Sequence, residues 1–204
     1  MAAHRTKLVG AAALEEGPGA QVGSRTRAFF GLPVPEAQRK QLGLYLAACA
    51  AAAPEFRWPP PANLHLTVRF IGTVDRPVVE SIADRLEGIE LPGFELQLGE
   101  VGTFKRGRLA RVVWLQVVTG AERAGELAAR VEAECVRAGL EPEARPFQPH
   151  LTVARARARD GSVLPELPRP SDLPPWRAEE LVLYSSHLGR AGSVYEPLRT
   201  LRLG

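Results

Sequence analysis

The sequence HLTV occurs twice, in NLHLTVRF (63–70) and in QPHLTVAR (148–155). The 204-residue chain has four histidines and places two of them, His65 and His150, in these segments. Both copies have the apolar and β-branched content of a strand. Because side chains alternate across a strand, each copy directs an imidazole and a hydroxyl to one face, and leucine and valine to the other. The repeat therefore predicts two related strands, each with a polar and an apolar face.

Strands and helices alternate around the two motifs. Aromatic and branched residues predict a first strand from Arg25, and apolar side chains at helical spacing predict helices over 36–53, after the cap residue Asp75, and over 121–138. Residues 94–118 are typical of a hairpin with a basic turn at 105–108, and residues 156–177 of a loop. Two more strands end the chain. Each half carries one motif, which favours two related lobes that face each other across a cleft.

Composition limits the function only weakly. The net charge is +3, and among 26 basic residues only Lys7, Lys40 and Lys105 are lysines. Arginine suits phosphate, but an Arg-, Ala-, Gly- and Pro-rich chain is also what a GC-rich genome encodes. No stretch has the roughly 20 apolar residues of a membrane helix. Cys49 and Cys135 are too few for a disulfide framework or a metal cluster, which indicates a reducing compartment, and we expect the cytoplasm.

Two imidazoles and two hydroxyls in one cleft suit transfer at phosphorus. One imidazole can take a proton from the attacking oxygen while the other protonates the leaving oxygen, since a pKa near about 6.5 makes both forms available. Threonine hydroxyls can bind the non-bridging oxygens, and an arginine can offset their charge. A zinc site would need three or four ligands, and neither motif has further ligands at suitable spacing. We therefore expect no metal and no cofactor.

The paired motifs resemble the His-x-Thr-x motifs of 2H phosphoesterases, and more closely the RNA 2′,3′-cyclic phosphodiesterases, also called the 2′-5′ RNA ligase or LigT-like family. The resemblance extends over about residues 25–203, including RAFFGLPVP, FELQLGEVGTF, RVVWLQV and ELVLYSSHL. It implies an α+β bilobal fold: two pseudo-twofold-related antiparallel sheets, outer helices and a central cleft. Residues 25–204 would form this single domain as a monomer, and we expect residues 1–24 to be a flexible extension.

The resemblance also implies a reaction and roles for individual residues. The reaction is hydrolysis of RNA or nucleoside 2′,3′-cyclic phosphates to 2′-phosphomonoesters without a metal. His65 would be the general acid and His150 the general base. The phosphate would be held by Thr67, Thr152 and Arg155. Phe30, the second aromatic of FF, matches a ring that the family places near the nucleotide.

Arg155 raises a geometric difficulty. It lies five residues after His150, so a regular strand would direct it to the opposite face. We therefore predict a bulge or strand end near Ala154.

Several alternatives stay open. The same centre could run in reverse as a 2′-5′ RNA ligase acting on tRNA-half-like ends, or the fold could serve a non-catalytic RNA-binding protein. The intact His and Thr quartet argues against the latter. The basic segment ARARARD (154–160) and the hairpin tip with Arg106 and Arg108 could follow an RNA backbone, or could be solvated edges that prevent sheet aggregation.

Overall fold

The computed structural model describes residues 25–170, 173–189 and 192–204, and the predicted extension at 1–24 lies outside the described residues. The predicted helices and strands are confirmed, and one short strand, β7, overlaps the end of the segment predicted to be a loop. The elements in chain order are β1 (Arg25–Pro33), α1 (Glu36–Ala52), β2 (Phe56–Arg57), a 3-10 turn (Pro61–Asn63), β3 (His65–Asp75), α2 (Arg76–Glu87), β4 (Phe94–Arg106), β5 (Leu109–Thr119), α3 (Ala121–Arg137), β6 (His150–Ala156), β7 (Trp176–Ala178), β8 (Glu180–Gly189) and β9 (Gly192–Arg202).

The strands form one 9-stranded antiparallel sheet in the order β7-β4-β5-β6-β3-β1-β8-β9, with β2 paired to β6. Two equivalent halves compose it, β6-β5-β4-β7 and β3-β1-β8-β9. The predicted pair of sheets is thus present as these two halves. They join where Leu66 of β3 pairs with Leu151 of β6. Each half carries one HLTV motif on its inner strand, and the half with His65 contains both ends of the described chain.

One face of the sheet is apolar and packs against the helices. Alternate residues of β1, Ala28, Phe30 and Leu32, belong to the same buried core as the leucine and valine of each motif. The helix α3 packs on β3, and α2 packs on β9 and α3. Cys49 and Cys135 are free and buried, in α1 and α3. Covering this face with helices leaves the imidazole face of the sheet for chemistry.

Arg69 links the first motif strand to the segment that leads into the second motif. Its side chain, 11% exposed, pairs with Glu132 of α3 and with Glu143. It also donates to the carbonyl of Glu141 at 2.7 Å. A nearly buried guanidinium is stable only when its donors are satisfied, as they are here by two carboxylates and by the carbonyls of Phe70 and Glu141. This network holds β3 and the approach to β6 in a fixed relation.

Candidate active site

The four motif residues meet where the two half-sheets join. Because Leu66 lies opposite Leu151 on the core side, the residues that flank them project to the other face. Continuing the antiparallel register sets His65 beside Thr152 and Thr67 beside His150. The two imidazoles are diagonal neighbours, a relation that spans about 7–8 Å in a regular ladder. All four side chains are half-buried. The structure therefore brings the predicted quartet into one small space.

Each imidazole is oriented by the backbone two residues before it. The Nδ1–H of His65 donates to the carbonyl of Asn63 at 2.8 Å, and the Nδ1–H of His150 donates to the carbonyl of Gln148 at 2.7 Å. A carbonyl can only accept, so these bonds place a hydrogen on Nδ1 in both rings. Nε2 is then the nitrogen that can take or release a proton. The two histidines are prepared in the same way for acid–base work.

The surroundings favour neutral imidazoles. Burial lowers the pKa of His65 to about 4 and also lowers the pKa of His150. The hydrogen bond to the preceding carbonyl opposes this effect in each ring, and the positive charge of Arg155 adds to it. A single guanidinium thus acts on both pKa values, which indicates that it lies near both rings. Both histidines lack a positive charge at neutral pH when no anion is bound.

A β-bulge turns Arg155 toward the imidazoles. In the β5–β6 ladder Trp114 pairs with Thr152 and Val113 pairs with Ala154, so Val153 is the extra residue. The extra residue reverses the alternation and sets Arg155 on the same face as Thr152. The predicted irregularity is confirmed. The Arg155 side chain is exposed, and it forms no ion pair with any residue that the structure describes.

The same bulge occurs in the first motif, with a different residue after it. Gly31 pairs with Thr67 and Phe30 pairs with Arg69, so Val68 is the extra residue. The position equivalent to Arg155 is Phe70. Its ring is 42% exposed, and the guanidinium of Arg27 lies 4.9 Å from its centre. The two halves are therefore alike in backbone but unlike in charge at this position.

The prediction for Phe30 is wrong. Phe30 is 0% exposed and faces the core with its neighbours at alternate positions of β1. The ring against the imidazole is Phe29, whose centre lies 4.6 Å from that of His65. Adjacent strand residues face opposite sides of a sheet, so only one ring of the FF pair can enter the cleft. That ring is the first.

Aromatic side chains surround both imidazoles. Tyr195 meets His65 edge-on with ring centres 5.0 Å apart, and Tyr184 stacks on the same Phe29 ring at 5.1 Å. Phe104 meets His150 edge-on at 5.1 Å, and Trp114 lies 5.9 Å from it. Apolar rings packed against an imidazole exclude water from it, which is the direction of the burial effect on both pKa values. Sequence reasoning missed Tyr195 and Phe104, since they reach the site through strand pairing that no local pattern reveals.

Gly102 makes room for the Trp114 indole. A Cβ at position 102 would lie 2.2 Å from that ring, so Gly102→Ala must displace it. We expect the substitution to lower the free energy of unfolding by about 1–3 kcal/mol. Activity should fall with it, because Trp114 borders His150. Thermal unfolding measures the loss of stability, tryptophan fluorescence the displacement of the indole, and a turnover assay the loss of activity.

Gly125 of α3 provides the matched control. A Cβ there would meet nothing within 4 Å. Gly125→Ala should therefore keep or raise the unfolding temperature, as expected for alanine in a helix. Equal stability of the two variants would contradict the packing of Trp114 on Gly102.

Neither metal-binding clusters nor membrane helices occur in the part of the chain that the structure describes. No three His, Cys, Asp or Glu side chains there come together in a way that could hold a metal ion. No helix there has the length and apolar character to cross a bilayer.

Comparison with known proteins identifies a family. The profile of the 2′-5′ RNA ligase superfamily matches residues 41–190. An RNA 2′,3′-cyclic phosphodiesterase of Methanothermobacter thermautotrophicus is 31% identical, and the match covers 88% of this chain and 100% of that protein. One of Escherichia coli with the same name is 32% identical over 85% of this chain and 94% of its own.

Solved structures share the fold. A crystal structure of Escherichia coli LigT complexed with 3′-AMP superposes with a TM-score of 0.75 and 28% identity, covering 88% of this chain and 99% of that one. A crystal structure of a Thermus thermophilus protein has a TM-score of 0.74 and 26% identity, over 87% and 97% of the two chains.

Proposed function

The chain belongs to the 2′-5′ RNA ligase superfamily, and from this premise we propose that it is an RNA 2′,3′-cyclic phosphodiesterase. The resemblance inferred from the two motifs is thereby confirmed. The enzyme opens the cyclic phosphate of RNA or nucleoside ends to a 2′-phosphomonoester. The observation that carries the proposal is the placement of two imidazoles and two threonines on one face at the Leu66–Leu151 junction. The matched relatives bear the name of this activity.

The proposed reaction is one displacement at phosphorus. Nε2 of His150 takes a proton from water as its oxygen forms a bond to phosphorus. The bond from phosphorus to O3′ breaks, and Nε2–H of His65 gives its proton to O3′. The products are a 2′-phosphate and a 3′-hydroxyl. His150 then carries the extra proton, and exchange with solvent restores the starting protonation states.

Three side chains are proposed to bind the phosphate. The hydroxyls of Thr67 and Thr152 lie beside the opposite imidazoles and can donate to the two non-bridging oxygens. Arg155, turned into the cleft by its bulge, offsets the negative charge that develops on those oxygens. Donors fixed in place before the reaction stabilise the transition state without reorganising.

The negative charge of the substrate is needed to keep His65 in its acid form. Burial lowers the pKa of His65 to about 4 when no anion is bound, so at neutral pH its Nε2 carries a proton only when negative charge lies beside the ring. The cyclic phosphate brings that charge between the two rings. Binding thus raises the pKa of both histidines and favours the imidazolium form required for leaving-group protonation.

The mechanism uses only side chains, and we propose that the enzyme is metal-independent. We further propose that it acts as a cytoplasmic monomer.

The test is incubation of the purified protein with a nucleoside 2′,3′-cyclic phosphate in the presence of EDTA, followed by chromatography of the product isomers. The expected product is the 2′-phosphate alone. A 3′-phosphate product would mean that O2′ rather than O3′ leaves, which would contradict the proposed step, and a requirement for added metal would overturn the mechanism. Reaction only with paired RNA ends would show the ligase direction, and RNA binding without turnover would show a binding protein.

A further inference from the structure

A second arginine lies beside Arg155 on the cleft face. In the two-residue pairing of β2 with β6, Arg57 is directly opposite Arg155. Directly opposed side chains share a face, and their Cβ atoms lie about 4.5–5.5 Å apart. Phe56, the preceding residue, faces the core and is 1% exposed, which confirms that Arg57 faces the other way.

This pairing costs stability unless an anion binds there. Like charges directly opposite each other in a ladder repel. Among the residues that the structure describes, neither Arg57 nor Arg155 forms an ion pair, whereas Arg69, Arg85 and Arg199 all do. Both guanidiniums are exposed. Two adjacent uncompensated guanidiniums form a site for a phosphate.

The backbone around Arg57 is held firmly in place. The amide of Arg157 donates to the carbonyl of Glu55 at 3.0 Å, and Nε of the same arginine donates to the carbonyl of Pro54 at 3.1 Å. Nε1 of Trp58 donates to the carbonyl of Ala53 at 3.1 Å. Together with buried Phe56, these bonds fix a strand of only two residues against β6. Such preorganisation reduces the entropic cost of binding a ligand.

The position of Arg57 separates it from the reacting phosphate. The strands β2 and β3 lie along the same edge of β6, paired at positions 155–156 and 151. Four residues of strand span about 10–13 Å, so Arg57 lies at the outer end of the cleft. Arg155 acts on both imidazoles, but Arg57 is not among the charges that shift their pKa values.

We propose that Arg57 binds the phosphodiester on the 5′ side of the terminal nucleotide, which makes the preferred substrate the end of an RNA chain rather than a free nucleotide. This inference rests on the proposed function. Arg155 reaches back to the cyclic phosphate, and Arg57 meets the next phosphate along the chain. A nucleoside cyclic phosphate lacks that second phosphate and gains nothing from Arg57.

The experiment compares kcat/KM for two substrates with the same terminal base, a nucleoside 2′,3′-cyclic phosphate and a dinucleotide with a 2′,3′-cyclic phosphate end. The wild type should prefer the dinucleotide. Arg57→Gln should lower the ratio of the two kcat/KM values by about tenfold or more, the effect of losing a charge-assisted contact. The slope of log kcat/KM against log salt for the dinucleotide should become shallower by about 0.7.

Arg159→Gln is the matched control, because Arg159 is an exposed arginine of the same basic segment and lies outside the β2–β6 pairing. The ratio of kcat/KM for the dinucleotide to kcat/KM for the nucleoside cyclic phosphate should be the same in Arg159→Gln as in the wild type. Circular dichroism melting shows whether Arg57→Gln is folded, and Arg57→Lys should recover part of the ratio.

Three results would overturn the inference. An equal loss on both substrates would place Arg57 at the cyclic phosphate, and an unchanged ratio would make it a solvated edge residue. If the wild type turns over neither substrate, the proposed function fails. In that case the role of Arg57 is tested by measuring affinity for a dinucleotide 3′-phosphate. Equal affinity of the wild type and Arg57→Gln would contradict the proposal that Arg57 binds the second phosphate.

Discussion

Replacing His65 or His150 with alanine is expected to lower kcat on a nucleoside 2′,3′-cyclic phosphate by roughly 10²–10⁴-fold in each case. This is the range for loss of a general acid or base. Each ring offers its free Nε2 to the cleft because Nδ1–H is committed to a backbone carbonyl. Steady-state kinetics of the two single variants and the double variant measure the effect. The losses should be non-additive, since the two groups act in one step.

His187→Ala is the control for these variants. The His187 ring is exposed on β8 and bonds to the hydroxyl of Ser185 at 2.6 Å, away from the motifs. Its removal should leave kcat within about twofold, as for a surface change. Unchanged turnover in both His65→Ala and His150→Ala would contradict the acid–base assignment.

A phosphodiester with a phenolate leaving group separates the two roles. Such a leaving group departs without a proton, so the general acid is no longer needed. The activity of His65→Ala on this substrate should approach that of the wild type, while His150→Ala stays impaired. The opposite pattern would exchange acid and base between the two residues.

Arg155→Gln is expected to lower kcat/KM by roughly 10²–10³-fold, the cost of removing a preorganised donor from developing charge. It should also raise the pKa of both His65 and His150, because the guanidinium lowers both. Titration of the imidazole C–H signals by NMR, in the absence of substrate, measures the pKa values directly. Arg159→Gln again serves as the control and should change neither quantity.

The pH dependence of the wild type follows from the same pKa values. The productive free enzyme has one protonated and one neutral imidazole, so kcat/KM is bell-shaped between the two apparent pKa values of the pair. Rising pH removes the proton of the acid, and falling pH protonates the base. Both pKa values are lowered from 6.5, so the maximum should lie on the acid side of pH 6.5. In Arg155→Gln the bell should move to higher pH, and a bell that stays in place would contradict the charge effect.

The motif residues could be predicted because their placement depends on neighbours in the chain. Alternation alone sets His65 and Thr67 on one face, and repetition of the motif indicates that two such faces meet. The bulge before Arg155 could be predicted because a regular strand would direct Arg155 away from His150, whereas its expected role requires both side chains on one face. The ladder resolves that conflict with the extra residue Val153.

Long-range pairing could not be predicted in the same way. The choice of Phe29 over Phe30 depends on the register of β1 with β3. Tyr195 reaches His65 through the pairing of β1 with β8 and of β8 with β9. Arg57 lies in a strand of two residues, too short for any periodicity to show. Contacts of this kind join residues far apart in the chain, and one sequence does not encode them locally.

The two equivalent bulges carry different residues, Arg155 and Phe70, and this difference determines the orientation in which a substrate binds in the cleft. A cleft with true twofold symmetry would bind a ligand in two poses of equal energy. In one of them, His150 rather than His65 would lie beside the leaving O3′ oxygen. Arginine at position 155 and phenylalanine at position 70 make the two poses unequal, since one bulge presents a guanidinium to the cleft and the other an aromatic ring. The two similar half-sheets thus form one cleft that has a defined direction along its substrate.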